Sequence, residues 1–316
     1  MKNNFINITP YNEVFFKNCF YSSLIPVCNY FEISEQSLFL NELIYFTETD
    51  GLIDVQYDSL YELKFLLERF GLVVKQKLFS NDIIYELKNS LNEGQPVIIW
   101  VDPYFLSSRK DAYKKVHFPH TLLVHGIDSS QGFYVIEHLT KDSLTYKSKI
   151  IPDVEIVNSY ESYLQMFGNQ EIPSMFKFSS CNKVNNYEES SHLEKLLKSY
   201  RENQDVILKG LEYLKNFSIN TEVRNIESTY DLLLAKLNNI INSKYVDRKR
   251  FINLGPSIVF QQKIDESIKT WQSIRASTAK SLYGSKMSLG NLESICELIR
   301  GIYEIEYEIY RNLIKL

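Results

Sequence analysis

Three residues of this chain carry the side-chain types that nucleophilic catalysis combines: the thiol of Cys19, the imidazole of His120 and the carboxylate of Glu137. Cys19 begins the run Cys19, Phe20, Leu24, Val27, Tyr30, Phe31, whose three- and four-residue spacing predicts a helix with one apolar face in the core and the cysteine at its rim. A helix N-terminus leaves backbone N–H groups unpaired and carries partial positive charge. Both push a thiol toward thiolate, the form that attacks carbonyl carbon. The competing reading makes Cys19 a small buried hydrophobe. Roughly a hundred residues later, His120 to Asp128 predicts a strand, Ser129 to Gly132 a turn, and Phe133 to Glu137 the antiparallel return. His120 opens this hairpin and Glu137 closes it. At about 3.3 Å of rise per residue the two ends meet in space.

The elements that must position these groups fill an α+β first part. A segment over residues 5–16 leads into the cysteine helix, and Ser34 to Ser37 cap a short helix or helix plus strand through Ile44. A helix is expected over 58–70, with Ser59 as cap and Gly71 as terminator, followed by a strand at Leu72 to Val74. A second helix runs from Asn81 and Asp82 to Leu91, and Pro96 to Val101 reads as an apolar central strand. Residues 102–119 are polar and irregular. From residue 188 the strand-like runs give way to four amphipathic helices: Leu193 to Leu214, Ile226 to Ile241, one starting at Pro256 and holding Trp271, and Leu289 to Ile314. The expected division is a catalytic domain at 1–150, a connecting segment at 151–187 and a helical bundle domain at 188–316. Apolar residues on more than one face of the last helix fit a homodimer.

The 316 residues, 44% hydrophobic, suffice for two cores, and a formal net charge of -4 with no basic cluster argues against nucleic acid as partner. No run approaches the ~20 apolar residues of a membrane span, and no secretory leader opens the chain, so a soluble cytoplasmic protein is expected. Cys19, Cys28, Cys181 and Cys296 lack paired spacing and read as reduced thiols. No phosphate loop, His-Glu-x-x-His or paired-cysteine motif implies a metal or cofactor.

A cysteine at a helix start, then a histidine opening a hairpin and an acid closing it, resembles the order of parts in papain-like cysteine hydrolases. In that scheme Cys19 attacks, His120 takes and returns its proton, and Glu137 holds the imidazole tautomer. Asn18-Cys19, the strand Gly94 to Asp102, and His117-Phe118-Pro119-His120 leading into Val124 to Asp128 resemble a narrower family. It is the butirosin-biosynthesis acyltransferase type, with relatives that include the amide-forming enzyme of closthioamide assembly. The resemblance spans roughly residues 10 to 140. It implies a papain-like cysteine-protease-type N-terminal domain, a helical C-terminal part that shapes the acceptor pocket or docks the carrier, and an acyltransferase of antibiotic biosynthesis. The thiol of that family accepts an acyl group from a carrier-protein phosphopantetheine thioester and passes it to a small amine, forming an amide without further cofactor. The position matched to Glu137 is more often Asp in the family.

The remaining candidates each carry two readings. The Cys19 backbone N–H is the natural first oxyanion donor and Asn18 a second, unless its side chain only serves the turn. Asp102, at the end of the central strand, holds the acceptor amine or forms a turn. His117 is a substitute base and substrate contact, or a loop residue. His125 reads as packed or hydrogen-bonded, and His138 as pointing to the face opposite Glu137. Two rivals to acyl transfer share the residues: a peptidase or amidase in which water takes the acyl group, and a non-catalytic binding homologue.

Overall fold

The computed structural model describes residues 4–138, 145–168, 171–181, 189–219, 226–252, 258–284 and 288–316. In chain order its elements begin with β1 (Asn4–Phe5), α1 (Cys19–Tyr30), α2 (Gln36–Phe39), β2 (Glu42–Thr49) and β3 (Leu52–Ser59). There follow α3 (Leu63–Arg69), β4 (Leu72–Lys77), α4 (Ile83–Asn92), β5 (Val97–Val101), β6 (His120–Asp128), β7 (Gly132–His138) and β8 (Tyr146–Ile151). The chain continues through α5 (Asp153–Met166) and β9 (Met175–Ser180), then the helices α6 (Glu189–Glu202), α7 (Gln204–Lys215), α8 (Ile226–Phe251), α9 (Ile258–Tyr283), α10 (Leu289–Gly301) and α11 (Tyr303–Lys315).

These elements form two compact units, Met1–Glu35 with Glu62–Tyr187, and Gln36–Tyr61 with Glu188–Leu316. The division corrects the expected boundaries twice. The described residues of the expected connecting segment, up to 181, belong to the first unit, because α5 packs on β5 and β9 sits in the sheet between β4 and β5. Prolines 152 and 173 lie just before those elements and do not interrupt them. In turn, residues 36–61 leave the first unit to form the β2–β3 hairpin of the second.

The first unit is built on an antiparallel sheet in the order β4-β9-β5-β6-β7-β8, with β1 paired to β6. Helix α1 packs against β6 and β5. It is not amphipathic as its spacing suggests. Every residue from Phe20 to Cys28 is buried, and the small polar side chains among them are satisfied locally, Ser22 by the Asn18 carbonyl at 3.4 Å and Ser23 by Thr121 at 3.1 Å. The lead-in segment is tied to β8 by Asn12, whose amide exchanges two bonds with the Tyr146 backbone at 2.6 and 3.1 Å. Helix α4 matches expectation, with Asp82 accepting from the Tyr85 N–H at 2.9 Å. Helix α3 is shorter than expected: Ser59 does not cap it but ends β3, where it donates to Glu42 at 2.8 Å.

In the second unit the β2–β3 hairpin turns at Asp50 and Gly51, both with positive φ of 56° and 73°, a conformation that the Asp-Gly pair tolerates well. Strand β2 packs on α7, and β3 on α8. The approach of α7 is close: a Cβ on Gly210 would lie 2.0 Å from the Phe46 carbonyl oxygen, so only glycine fits there. Two of the four expected helices are broken, the first at Asn203 between α6 and α7, and the last at Ile302 between α10 and α11. Pro256, the expected start of the third, lies outside the described residues; α9 begins at Ile258. The core here includes a fully buried charge pair, Lys244 Nζ to Glu306 Oε2 at 2.6 Å. The other Glu306 oxygen accepts from Ser267 at 2.6 Å and Trp271 Nε1 at 2.8 Å, which satisfies the carboxylate without water.

Candidate active site

Cys19 is the first residue of α1, and the chain is turned into the helix by Lys17 at φ 56°, an uncommon conformation for a lysine. Asn18 is the N-cap. Its Oδ1 accepts from the Phe20 N–H at 3.0 Å and the Tyr21 N–H at 3.4 Å, so its amide oxygen is committed to the helix and only its NH2 remains as a donor. The structure therefore realises the turn-serving role of Asn18.

Pairing of β5 with β6 sets Val101 opposite His120 and Trp100 opposite Thr121, while β6 and β7 pair Leu123 with Ile136. That register carries Glu137 to His120: both carboxylate oxygens lie 3.0 Å from His120 Nε2. Because Nε2 is engaged by Glu137, Nδ1 is the ring nitrogen left for the hydrogen bond between His120 and Cys19. The Cys19 sulfur also takes hydrogen bonds from the hydroxyl and backbone N–H of Thr121. His120 and Glu137 are buried and Cys19 is half-buried.

The electrostatics follow from these contacts. Burial pushes the Cys19 thiol up, but the hydrogen bond and charge of His120, joined by Thr121, outweigh it and hold the thiol below its ordinary value. Burial pulls the His120 ring down, whereas the Glu137 charge and the Cys19 hydrogen bond raise it to about 9. Glu137 is pushed up by burial and brought below the ordinary carboxylate range by His120, Arg109 and the His138 N–H, which it accepts at 2.6 Å. All three shifts favour a thiolate–imidazolium–carboxylate arrangement. Cys28 is the internal contrast. It lies nine residues along the same helix, and burial with no partner pushes its thiol up to about 12.

Sequence reasoning missed two members of this cluster. Arg109 lies in the irregular segment before β6, yet it is 4% exposed and reaches the site. Its Nη1 is 3.1 Å from His120 Nε2 and 3.3 Å from Glu137 Oε1, while Nε and Nη2 grip Asp111 at 3.0 and 2.8 Å. A loop arginine two residues before an aspartate carries no spacing signal; only the fold brings it to the hairpin.

The expected substrate residues are placed elsewhere. Asp102 is fully buried, and its carboxylate accepts from His117 Nδ1 at 2.6 Å, Ser162 Oγ at 2.7 Å and the Tyr104 N–H at 3.1 Å. Of its two readings these contacts match the turn former: all three donors come from the protein, and Asp102 shapes the turn after β5. His117 makes its contacts with Asp102 and the ring of Tyr104, stacked at 3.9 Å, rather than with Cys19. His125 is hydrogen-bonded at both nitrogens, to the Ile6 carbonyl at 2.9 Å and Ser148 at 3.0 Å. His138 does not face away from the site; its ring lies 6.0 Å from that of His120 and 3.8 Å from Tyr146.

Among the described residues no group of three or more His, Cys, Asp or Glu side chains could hold a metal ion, and no helix is long and apolar enough to cross a membrane. No protein-family model matches the chain, and no curated protein sequence matches it.

Proposed function

We propose that the first unit is a papain-like cysteine-enzyme domain and that the chain is an acyltransferase forming an amide. The acyl donor is a thioester on the phosphopantetheine of a carrier protein, and the acceptor is a small amine. One observation carries this reading: His120 is held between Cys19 and Glu137, and the Cys19 thiol is acidified there while Cys28 on the same helix is not.

The chemistry balances within these residues. The Cys19 thiolate attacks the donor carbonyl carbon, and in this reading the Cys19 N–H at the helix start and the Asn18 amide NH2 serve the developing oxyanion. Collapse expels the carrier thiol, which takes the proton from His120 Nδ1, and leaves the acyl group on Cys19 as a thioester. The amine then attacks that thioester, its surplus proton passes to His120, and Cys19 departs as thiolate. Thioester exchange is nearly isoenergetic and aminolysis runs downhill, so neither nucleotide nor electron transfer enters. The preference for an amine over water rests on the family resemblance of residues 10 to 140.

Incubation with an acyl-loaded carrier tests the proposal by intact mass. The expected result is one acyl increment on Cys19, discharged as an amide when amine is added, and no increment on Cys19→Ala. Free acid formed whether or not amine is present makes the chain a hydrolase. A Cys19 that acquires no acyl group and alkylates like free cysteine makes it a binding homologue.

A further inference from the structure

We propose that Arg109 is a positioning residue that limits how tightly His120 holds its proton, so that the imidazole can act as a base in the second half of the reaction. The inference rests on the Cys19–His120–Glu137 reading above and adds a fourth and fifth charge to it.

Arg109 Nη1 lies 3.1 Å from His120 Nε2, and both are nitrogens that carry hydrogen when His120 is an imidazolium. Two donors at that distance form no hydrogen bond, and two cations repel. Glu137, 3.0 Å from the same nitrogen, acts with the opposite sign. The ring therefore sits between one group that retains its proton and one that expels it. Asp111 sets the strength of the second: its two oxygens hold the far side of the guanidinium and neutralise part of its charge.

The other groups around the ring are Cys19 from α1, His138 from β7, and Tyr146 and Lys149 from β8. Lys149 donates to the His138 carbonyl, and Phe118 lies 5.8 Å from the Arg109 guanidinium carbon. Of these groups it is the Arg109 guanidinium that hydrogen-bonds Glu137 and lies within hydrogen-bond distance of His120 Nε2.

The need for such a group follows from the reaction. In the free enzyme the thiolate stabilises the imidazolium. Acylation removes that negative charge, and His120 must then be neutral to receive a proton from the amine. Glu137, 3.0 Å away, favours the charged ring after acylation as before it. The Arg109 charge offsets Glu137 and lets the proton leave once the thiolate is consumed.

The test is the pH profile of Cys19 alkylation by iodoacetate, an anion whose reaction slows as His120 loses its proton, so that the basic limb reports the ring. Arg109→Gln should move that limb up by about one pH unit, a tenfold change in the proton's affinity. Asp111→Asn leaves Arg109 less neutralised and should move it down. Arg109→Lys, which keeps the charge, should stay near wild type. A merely structural Arg109 would lower the amplitude and leave the limb in place. A folded Arg109→Gln protein with an unmoved limb, or limbs that shift in the same direction in Arg109→Gln and Asp111→Asn, overturns the inference while the wild-type profile still supports the triad. Should Arg109→Gln fail to fold, Arg109→Met, which keeps the apolar stem and removes the charge, takes its place in the same assay, and an unmoved limb there overturns the inference. A wild-type thiol that alkylates no faster than free cysteine overturns both readings.

Discussion

Replacing Glu137 by Gln removes the charge that holds His120 protonated, and the size of the effect follows from the geometry. Glu137 is completely buried, and both its oxygens lie 3.0 Å from Nε2. His120 stands at about 9 against an ordinary 6.5, a rise worth about 3 kcal/mol. Since burial alone would carry the ring below 6.5, that figure is a lower bound on what Glu137 and Cys19 supply together. If Glu137 accounts for about half of it or more, its loss lowers the equilibrium constant for forming the thiolate–imidazolium pair by about 10- to 100-fold. The sign is fixed by the order of charges: a weaker imidazolium stabilises the thiolate less, so the thiol midpoint moves up. The assay is the pH titration of ultraviolet thiolate absorbance, taken as the difference between each protein and its Cys19→Ala counterpart. Wild type should show thiolate already at neutral pH, whereas Glu137→Gln should develop it one to two pH units later. A Glu137→Gln titration that superimposes on wild type, with the fold intact by circular dichroism, would refute the assignment of Glu137 as the orienting carboxylate.

Further outcomes follow from other contacts. Alkylation at neutral pH should modify Cys19 well before Cys28, whose thiol is buried and held high, and peptide mapping of a timed iodoacetamide reaction checks the order. Asp102→Ala leaves Ser162 and the Tyr104 N–H without their buried acceptor and should cost about 1 to 3 kcal/mol in denaturant unfolding, while the Cys19 thiolate titration stays where it was. In the helical unit, Glu306→Leu leaves the buried Lys244 with only the more distant Asp247, at 3.7 Å, and should cost about 3 kcal/mol, and adding Lys244→Met should restore part of it. The two tryptophans are Trp100 and Trp271, so Trp271 fluorescence in a Trp100→Phe background reports that unit. Gly210→Ala places a methyl 2.0 Å from the Phe46 carbonyl and should lower stability by at least about 1 to 3 kcal/mol in the same assay, since backbone and not a flexible side chain must yield.

What the sequence by itself determined was local. The apolar run after Cys19, the Asp82 cap, the β-branched strand Val97 to Val101 and the turn between β6 and β7 each specify their element through nearest neighbours, and the hairpin alone is enough to bring His120 toward Glu137. Tertiary structure decided everything that depends on partners far along the chain. Strand β9 was unreadable because its place is set by pairing with β4 and β5, about a hundred and about eighty residues earlier, and not by its own short run. The β2–β3 hairpin belongs with the helices for the same reason, since its apolar side needs α7 and α8 to cover it. Asp102 looked available at a strand end until Ser162 of α5 and His117 closed over it. Arg109 looked like a loop charge until the fold buried it against His120, Glu137 and Asp111. A buried cation needs paired anions at about 3 Å, and such a coincidence of three separate segments is a property of the folded chain, invisible in any spacing.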